Sequence, residues 1–427
     1  MQIKSSLLTI FTVLAAPAVI SVPLTTITVP VPYPQAIPVQ PVAYPSADEK
    51  IFITGAFLSD KIVTDALAFV NSVVDPNILA ILPSTYIQYS NVVYHDNAVN
   101  NCYWPLNGCV RATDVIDCQK DYQWGLTYDD APTSNVVNGV NYNDSISILD
   151  SLNELKVKAT FFVTGSQATY YAATLQTLAN NDMHIAHHSW SHHPMTSLTN
   201  TQIVAEIMYT QAMIYKVTGL TTRYFRPPYG DIDDRVRGII AALGFKIIIW
   251  DSAYDSTDAD VAATPENYEK VMARIRSWFN VAKGFISLQH TISTFTSGTS
   301  VAALQEIIKM GGIKNQLMTV PQCIGDSQWY MNKNVNTVFN SCTLPGGCNG
   351  ATVSPTASTA QASVVPSVKP SSTPSLSLKS TLSSTSPTAT PSASPLISDI
   401  TSDAIRWPSS TSSYLGLFTI AVLMITV

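Results

Sequence analysis

Leu126-Thr127-Tyr128-Asp129-Asp130-Ala131-Pro132 sets two adjacent carboxylates at the end of a short, apolar, strand-like run, 124–128. Side chains alternate faces along a strand, but where a strand ends the chain turns, so Asp129 and Asp130 can both project into one pocket. Two such neighbours repel each other unless a cation neutralises one of them or one takes up a proton. The same residues also suit an ordinary turn, since Asp and Pro are common there. Their surroundings decide between the two readings.

Between 124 and 320, strand-like and helix-like segments alternate. The strands expected are 125–128, 159–163, 183–186, 224–225, 246–250, 284–289 and 316–320. The helices expected are 146–155, 167–180, 201–218, 234–243, 265–279 and 301–309. Stop and start signals frame them: Asn200 as a cap and Gly219 as a terminator, Gly244, Thr264 followed by Pro265, and Gly311-Gly312. This alternation predicts an α/β fold in which helices cover a parallel sheet. About seven units predict a distorted (β/α) barrel, whose active site belongs at the C-terminal ends of the strands, where the Asp pair falls.

Composition bounds the rest of the 427 residues. Lys4, an apolar run at 7–14 and Ala16-Pro17-Ala18 read as a secretory signal over 1–18, too short to span a membrane. A Pro-rich lead-in at 22–47 begins an N-terminal extension, 19–117, in which 62–74 has helical spacing and the extension as a whole packs on the main domain. The catalytic domain is expected over 118–325, followed by a Cys-containing segment, 326–352. Residues 353–413 are Ser, Thr, Pro and Ala with nothing to build a core from, a disordered and O-glycosylated stalk. The apolar tail 414–427 is shorter than the about 20 residues a bilayer requires; with the small residues Ser402, Asp403 and Ala404 upstream it reads as a lipid-anchor signal, Ser402 being the attachment site chosen. A formal charge of -6 and the lack of a basic patch exclude nucleic acid as a partner.

Secretion makes the six cysteines disulfides rather than a thiolate metal site. Sequence cannot choose among the possible pairings. Loop logic prefers Cys102 with Cys109 and Cys342 with Cys348, which leaves Cys118 with Cys323. Asn143-Asp144-Ser145 is an N-glycosylation acceptor.

After the third strand comes Ala186-His187-His188-Ser189-Trp190-Ser191-His192-His193-Pro194, which holds more than half of the seven histidines. His188 and His192 are four apart, a spacing that on a helical turn puts both imidazoles on one face. With Asp130 they form a two-His, one-carboxylate set suited to Zn²⁺ or a similar divalent ion. The next strand ends in Arg226-Pro227-Pro228-Tyr229-Gly230. The prolines stiffen the backbone around a guanidinium suited to hold a carboxylate bidentately, with Asp129 its expected client, and around the Tyr229 N–H, a candidate oxyanion donor. The next strand ends in Trp250, with Asp251, Asp255 and Asp258 following it, and Leu288-Gln289-His290 ends another.

In this order the motifs Thr-Tyr-Asp-Asp, His-Ser-Trp-Ser-His, Arg-Pro-Pro-Tyr and Leu-Gln-His resemble those of the polysaccharide deacetylases, carbohydrate esterase family four, and in particular its secreted, lipid-anchored fungal members acting on chitin. The resemblance covers about 118–323. It implies a metal-dependent amide hydrolase that removes acetyl groups from N-acetylglucosamine units of chitin at the cell wall, with one divalent ion, Zn²⁺ or Co²⁺. Asp129 would be the general base, Asp130, His188 and His192 the metal ligands, Arg226 the residue orienting the base, and His290 the general acid. Tyr229 and Trp190 are the aromatic candidates to line the groove and stack on sugar faces, core packing being the alternative role for each. The fourth motif departs from the family pattern: Asp255-Ser256-Thr257-Asp258 is followed by Ala259 where Trp is usual, and Asp255 is the expected partner of His290, with Asp251 the other choice. Ala131 and Thr291 are milder departures. Two rival readings are a deacetylase of another N-acetylated wall polysaccharide and an inactive, wall-anchored structural protein.

Overall fold

The computed structural model describes residues 32–34, 37–95, 98–335, 337 and 339–344. The expected signal, stalk and apolar tail, with Ser402 and Cys348, lie outside these residues. In chain order, the elements that position the site are α1 (Lys61–Val73), β1 (Asp114–Val115), β2 (Gln123–Gly125), β3 (Thr127–Ala131), α2 (Asp144–Leu155), β4 (Thr160–Val163), α3 (Gly165–Tyr170), α4 (Ala172–Asn180), β5 (His184–His187), α5 (Asn200–Thr218), β6 (Tyr224–Phe225), α6 (Asp234–Ala242), β7 (Lys246–Ile248), α7 (Pro265–Ser277), β8 (Phe285–Ile286), α8 (Thr294–Lys309), β9 (Gln316–Met318) and α9 (Val320–Cys323).

One parallel sheet runs β1-β7-β6-β5-β4-β3, and a second runs β8-β2-β9. They are halves of one wall. β2 and β3 are a single extended run interrupted at Leu126, whose N–H donates to Met318 O at 2.9 Å and whose carbonyl accepts from Thr160 N at 3.0 Å. Parallel bridges at Asp129–His290 and Asp255–Leu288 join β3, the continuation of β8 and the segment after β7. The strands thereby curl into a distorted barrel with helices outside it.

Three expected boundaries shift for local reasons. The helix expected over 167–180 is two, α3 and α4, because Tyr171 at φ -120° and ψ 41° breaks it. α5 is capped by Thr199 instead of Asn200, since Thr199 and Gln202 satisfy each other's backbone N–H in a capping box. α8 begins at Thr294, well before 301, where Ser293 and Thr296 make a second such box.

The extension is built into this body. α1 buries Ile62, Val63, Ala66 and Val70 in the same core as Ile203 and Ile207 of α5. β1 extends the sheet beside β7. Two buried ion pairs fix that edge to α6: Arg111 Nη2 to Asp234 Oδ2 at 2.6 Å and Arg237 Nη2 to Asp114 Oδ2 at 2.9 Å. At the opposite end of the barrel, Asp326 Oδ2 accepts from Arg223, Tyr224 and Lys246 at 2.6–2.9 Å, and Trp329 and Tyr330 enter the core. That segment closes the N-terminal ends of β6 and β7 and leaves the C-terminal ends open.

Cys102–Cys109 and Cys118–Cys323 are disulfides, the second linking positions 205 residues apart. Cys342 is disulfide-bonded as well. No helix among the described residues is long and apolar enough to cross a membrane.

Candidate active site

The two acids share a pocket because the strand that carries them twists at its end. Asp130 has φ 63°, a left-handed conformation uncommon outside glycine. Ser189 (φ 64°), His192 (φ 56°) and Tyr229 (φ 59°) adopt the same conformation. Unfavourable backbone is thus gathered at the strand ends around one cleft, where packing and hydrogen bonds hold it.

Asp130 Oδ1 lies 3.1 Å from His192 Nε2 and 3.6 Å from His188 Nε2, and one donor atom from each residue lies within 4.8 Å of the others. The histidines do not meet on a helical turn, as their spacing suggested. They sit on a bend, 188–192, with Ser189 and His192 at positive φ. His188 Nδ1 lies 2.8 Å from the carbonyl of Arg226, which can only accept. The proton is therefore on Nδ1, and Nε2 presents its lone pair to the site. Burial pushes His188 down to about 4, against the pull of Asp129, so the ring is neutral at physiological pH. Burial works to raise Asp130, but His192 and His188 outweigh it and hold the carboxyl well below its ordinary range. A carboxylate oxygen beside imidazole nitrogens, one fixed in the ligating tautomer, fits a divalent cation.

The loop is held from α5. Glu206, 1% exposed, accepts from Trp190 N (2.7 Å) and Ser191 N (2.8 Å) through Oε2 and from Ser191 Oγ (2.6 Å) through Oε1. Nothing in the sequence marks Glu206, because it lies within an almost wholly buried stretch of helix.

Asp129 is held differently from its neighbour. Its Oδ1 accepts from Arg226 Nη1 at 2.7 Å, while Oδ2 stands 3.7 Å from His188 Nε2. The expected bidentate clasp is replaced by a single contact, since the same Nη1 also donates to Thr127 Oγ1 at 2.8 Å. Arg226 is fully buried, with its guanidinium 4.2 Å from the Phe162 ring centre and 5.5 Å from that of Trp250. The guanidinium has little room to move, and neither does the carboxylate it holds.

His290 is paired with Asp258, which corrects the expectation of Asp255 or Asp251. Its Nδ1 is 2.6 Å from Asp258 Oδ1, and its backbone N–H donates to Asp258 Oδ2 at 3.0 Å. Asp255 instead accepts the Thr257 N–H at 2.8 Å, and Asp251 accepts from Ala253 N at 2.9 Å and Lys283 Nζ at 2.6 Å. Thr257 at φ 56° turns the chain between the first and second acids of the motif, so the second faces the histidine. Burial opposes charge on His290, but Asp258 foremost, then Asp130 and Asp129, outweigh it and raise the group to about 10.

Asp129, Asp130, His188, His192 and His290 line a cleft of about 760 Å³ that also includes Tyr229, Trp250, Asp255 and Trp104, while Arg226 and Asp258 support it from behind. Trp190 is absent from it, against expectation. Its ring is buried, stacked on Tyr44 at 5.7 Å, with Nε1 donating to Ser46 O at 2.7 Å. A Cβ on Gly165 would collide with it. The position between the two histidines points the side chain into the protein, and the cleft aromatics come from elsewhere. Asn143 is exposed at the start of α2, while Asp144 and Ser145 of its acceptor triplet are buried.

A family model described as polysaccharide deacetylase matches residues 117–248. Chitin deacetylase 1 of Cryptococcus neoformans var. grubii is 33% identical over 276 residues, 61% of this chain and 56% of that protein. Chitin deacetylase of Amylomyces rouxii is 35% identical over 240 residues, 54% of each. The chain thus spans little more than half the length of these curated relatives. The solved chitin deacetylase of Colletotrichum lindemuthianum is 22% identical with a TM-score of 0.45, over 53% of this chain and 98% of that one. The stretch similar to the polysaccharide deacetylase model runs from the Asp pair through the histidine loop to Arg226, so the similarity falls on the residues that build this site.

Proposed function

We propose that the chain hydrolyses the N-acetyl groups of N-acetylglucosamine units in chitin, giving acetate and glucosamine units. The observation that carries this reading is Asp129: Arg226 occupies one of its oxygens, and the other faces the Asp130–His188–His192 set in an open cleft. Asp130, His188 and His192 would hold a divalent ion, Zn²⁺ or Co²⁺, which when bound supplies Lewis-acid polarisation of a carbonyl and acidifies water.

The chain's own groups supply the proton movements. Asp129 Oδ2 takes a proton from the attacking water, and Arg226 keeps that carboxylate aimed. The Tyr229 N–H, carried at positive φ between Pro228 and Gly230, is the donor assigned to the developing oxyanion. His290 uses Nδ1 to hold Asp258, which leaves Nε2 to protonate the departing amine as the C–N bond breaks. The surface setting belongs to the same proposal: a secreted protein with a glycan at Asn143 and a lipid at Ser402 would sit at the outer face of the plasma membrane and the wall. The names of the relatives and the expected signal segments support that setting.

The test is acetate and free amine released in equal amounts from an N-acetylchitooligosaccharide. Release only from an N-acetylgalactosamine polymer would retain the chemistry and refute the substrate. No release from any N-acetylated polymer would favour the structural-protein reading.

A further inference from the structure

The cleft has a second wall that the strand ends do not supply. Ser90, Trp104, Pro105, Asn107, Gly108 and Val110 line it, and all six precede the stretch matched by the family model, 117–248. Trp104 opens a short helix, Trp104–Asn107, closed by Gly108 at φ 64°. The helix lies inside the loop bridged by Cys102–Cys109.

The loop is rigidly mounted. Buried Arg237 donates Nη1 to Cys102 O at 2.6 Å and Nη2 to Cys109 O at 3.1 Å, gripping both ends of the bridge. The Trp104 N–H donates to Ile232 O at 3.2 Å. The indole lies 4.5 Å from that of Trp250, tilted 59°, and a Cβ on Gly230 would collide with it. Trp104 is therefore fixed yet only partly buried, with its remaining surface in the cleft. Asn107 spends Oδ1 on the Cys109 N–H at 3.1 Å, and its amide NH₂ is left for the cleft.

We infer that this loop carries a sugar-binding subsite beside the reacting unit, with Trp104 stacking on a pyranose face and Asn107 donating to a hydroxyl or acetamide oxygen. A pyranose presents a face of C–H groups that packs on an aromatic ring, and its rim of oxygens needs hydrogen-bond donors. The residues of the bridged loop that line the cleft, Trp104, Pro105, Asn107 and Gly108, are uncharged, and the nearby Asp117 is paired with Lys283 at 3.1 Å, so the loop suits a neutral N-acetylglucosamine unit of the same chain rather than a charged sugar. The subsite makes the protein select chains long enough to reach Trp104 from the Asp pair. This inference rests on the deacetylation reading of the same cleft.

The experiment compares kcat/KM on N-acetylchitobiose and N-acetylchitohexaose for the parent, W104A, W104F and N107A, and measures hexaose binding by calorimetry in the D129N background with and without W104A. The expected result is a fall of about tenfold in the hexaose-to-biose ratio for W104A, a smaller fall for N107A, and recovery of most of the ratio in W104F. Hexaose affinity should weaken by a similar factor. An unchanged ratio in W104A, or equal losses on both oligomers, would overturn the subsite. A parent that releases no acetate refutes the deacetylation reading, while the hexaose affinities still decide the subsite.

Discussion

The two walls of the cleft are built on opposite principles. The strand-end wall is buried and charged: Asp129 and His188 line it, and the fully buried Arg226 and Asp258 hold its Asp129 and His290 from behind. In the wall from the extension the bridged loop is uncharged and half exposed, and its rigidity comes from a disulfide and Arg237 beneath it. Chemistry that moves protons needs ionised groups shielded from water and held at fixed distances. Recognition of a neutral chain needs only shape, an aromatic face and a donor. A substitution in the first wall should therefore act on every substrate alike, and one in the second should act in proportion to chain length.

The largest expected effect sharpens that contrast. D129N should lower kcat by about 10³-fold or more on both short and long oligomers, the size of effect typical of a lost general base, with an unchanged circular dichroism spectrum. A loss confined to long oligomers would break the division between the walls.

Next is R226A. It leaves Asp129 buried without its cation partner, so the fold should lose about 3 kcal/mol, read by urea denaturation, and activity should fall on all substrates together. Retained stability would mean the buried pair contributes nothing net.

D258N probes the pH dependence. With Asp258 raising His290 to about 10 against burial, its proton is held below that value and is lost as pH rises through it. Without the Asp258 carboxylate, burial prevails over what remains. The alkaline limb of kcat should then move down by roughly two units. The acid Asp255→Asn variant, which removes the carboxyl first expected to pair, should leave that limb in place. If D255N moves it and D258N does not, the pairing seen here is wrong.

The smallest effect belongs to the outer wall. Replacing Cys102 and Cys109 together by alanine should cost about 2 kcal/mol through the freed loop and reduce the hexaose-to-biose ratio a few-fold. The biose rate should change least. A collapse of the biose rate would show that the loop supports the strand ends and not only the sugar.

The same contrast explains what could be read from sequence. The strand-end motifs announce themselves because their chemistry demands particular residue types at short spacings: Asp129 beside Asp130, His188 four residues before His192, Arg226 locked between strand and prolines. The barrel was legible in the alternation of apolar runs and capped helices. What escaped depends on backbone turns or on distant contacts. Asp258 and Asp255 are alike in sequence, and the positive φ of Thr257 selects between them. Trp190 lies between two site histidines, yet Tyr44, Ser46 and the bare face of Gly165 take it inward. Trp104 reaches the cleft from a segment whose two-residue strand and four-residue helix are too short to show a period. Glu206 is one buried polar residue in a helix, visible only once the loop it holds is seen.

The central claim is that neighbouring carboxylates divide the labour, Asp130 gripping the ion and Asp129 moving the proton. Zinc-binding stoichiometry by calorimetry on chelator-stripped parent, D129N, D130N and H188A tests it most directly. The expected result is one tightly bound ion in the parent and in D129N, with tight binding lost in D130N and H188A. An ion retained by D130N and lost by D129N would contradict it.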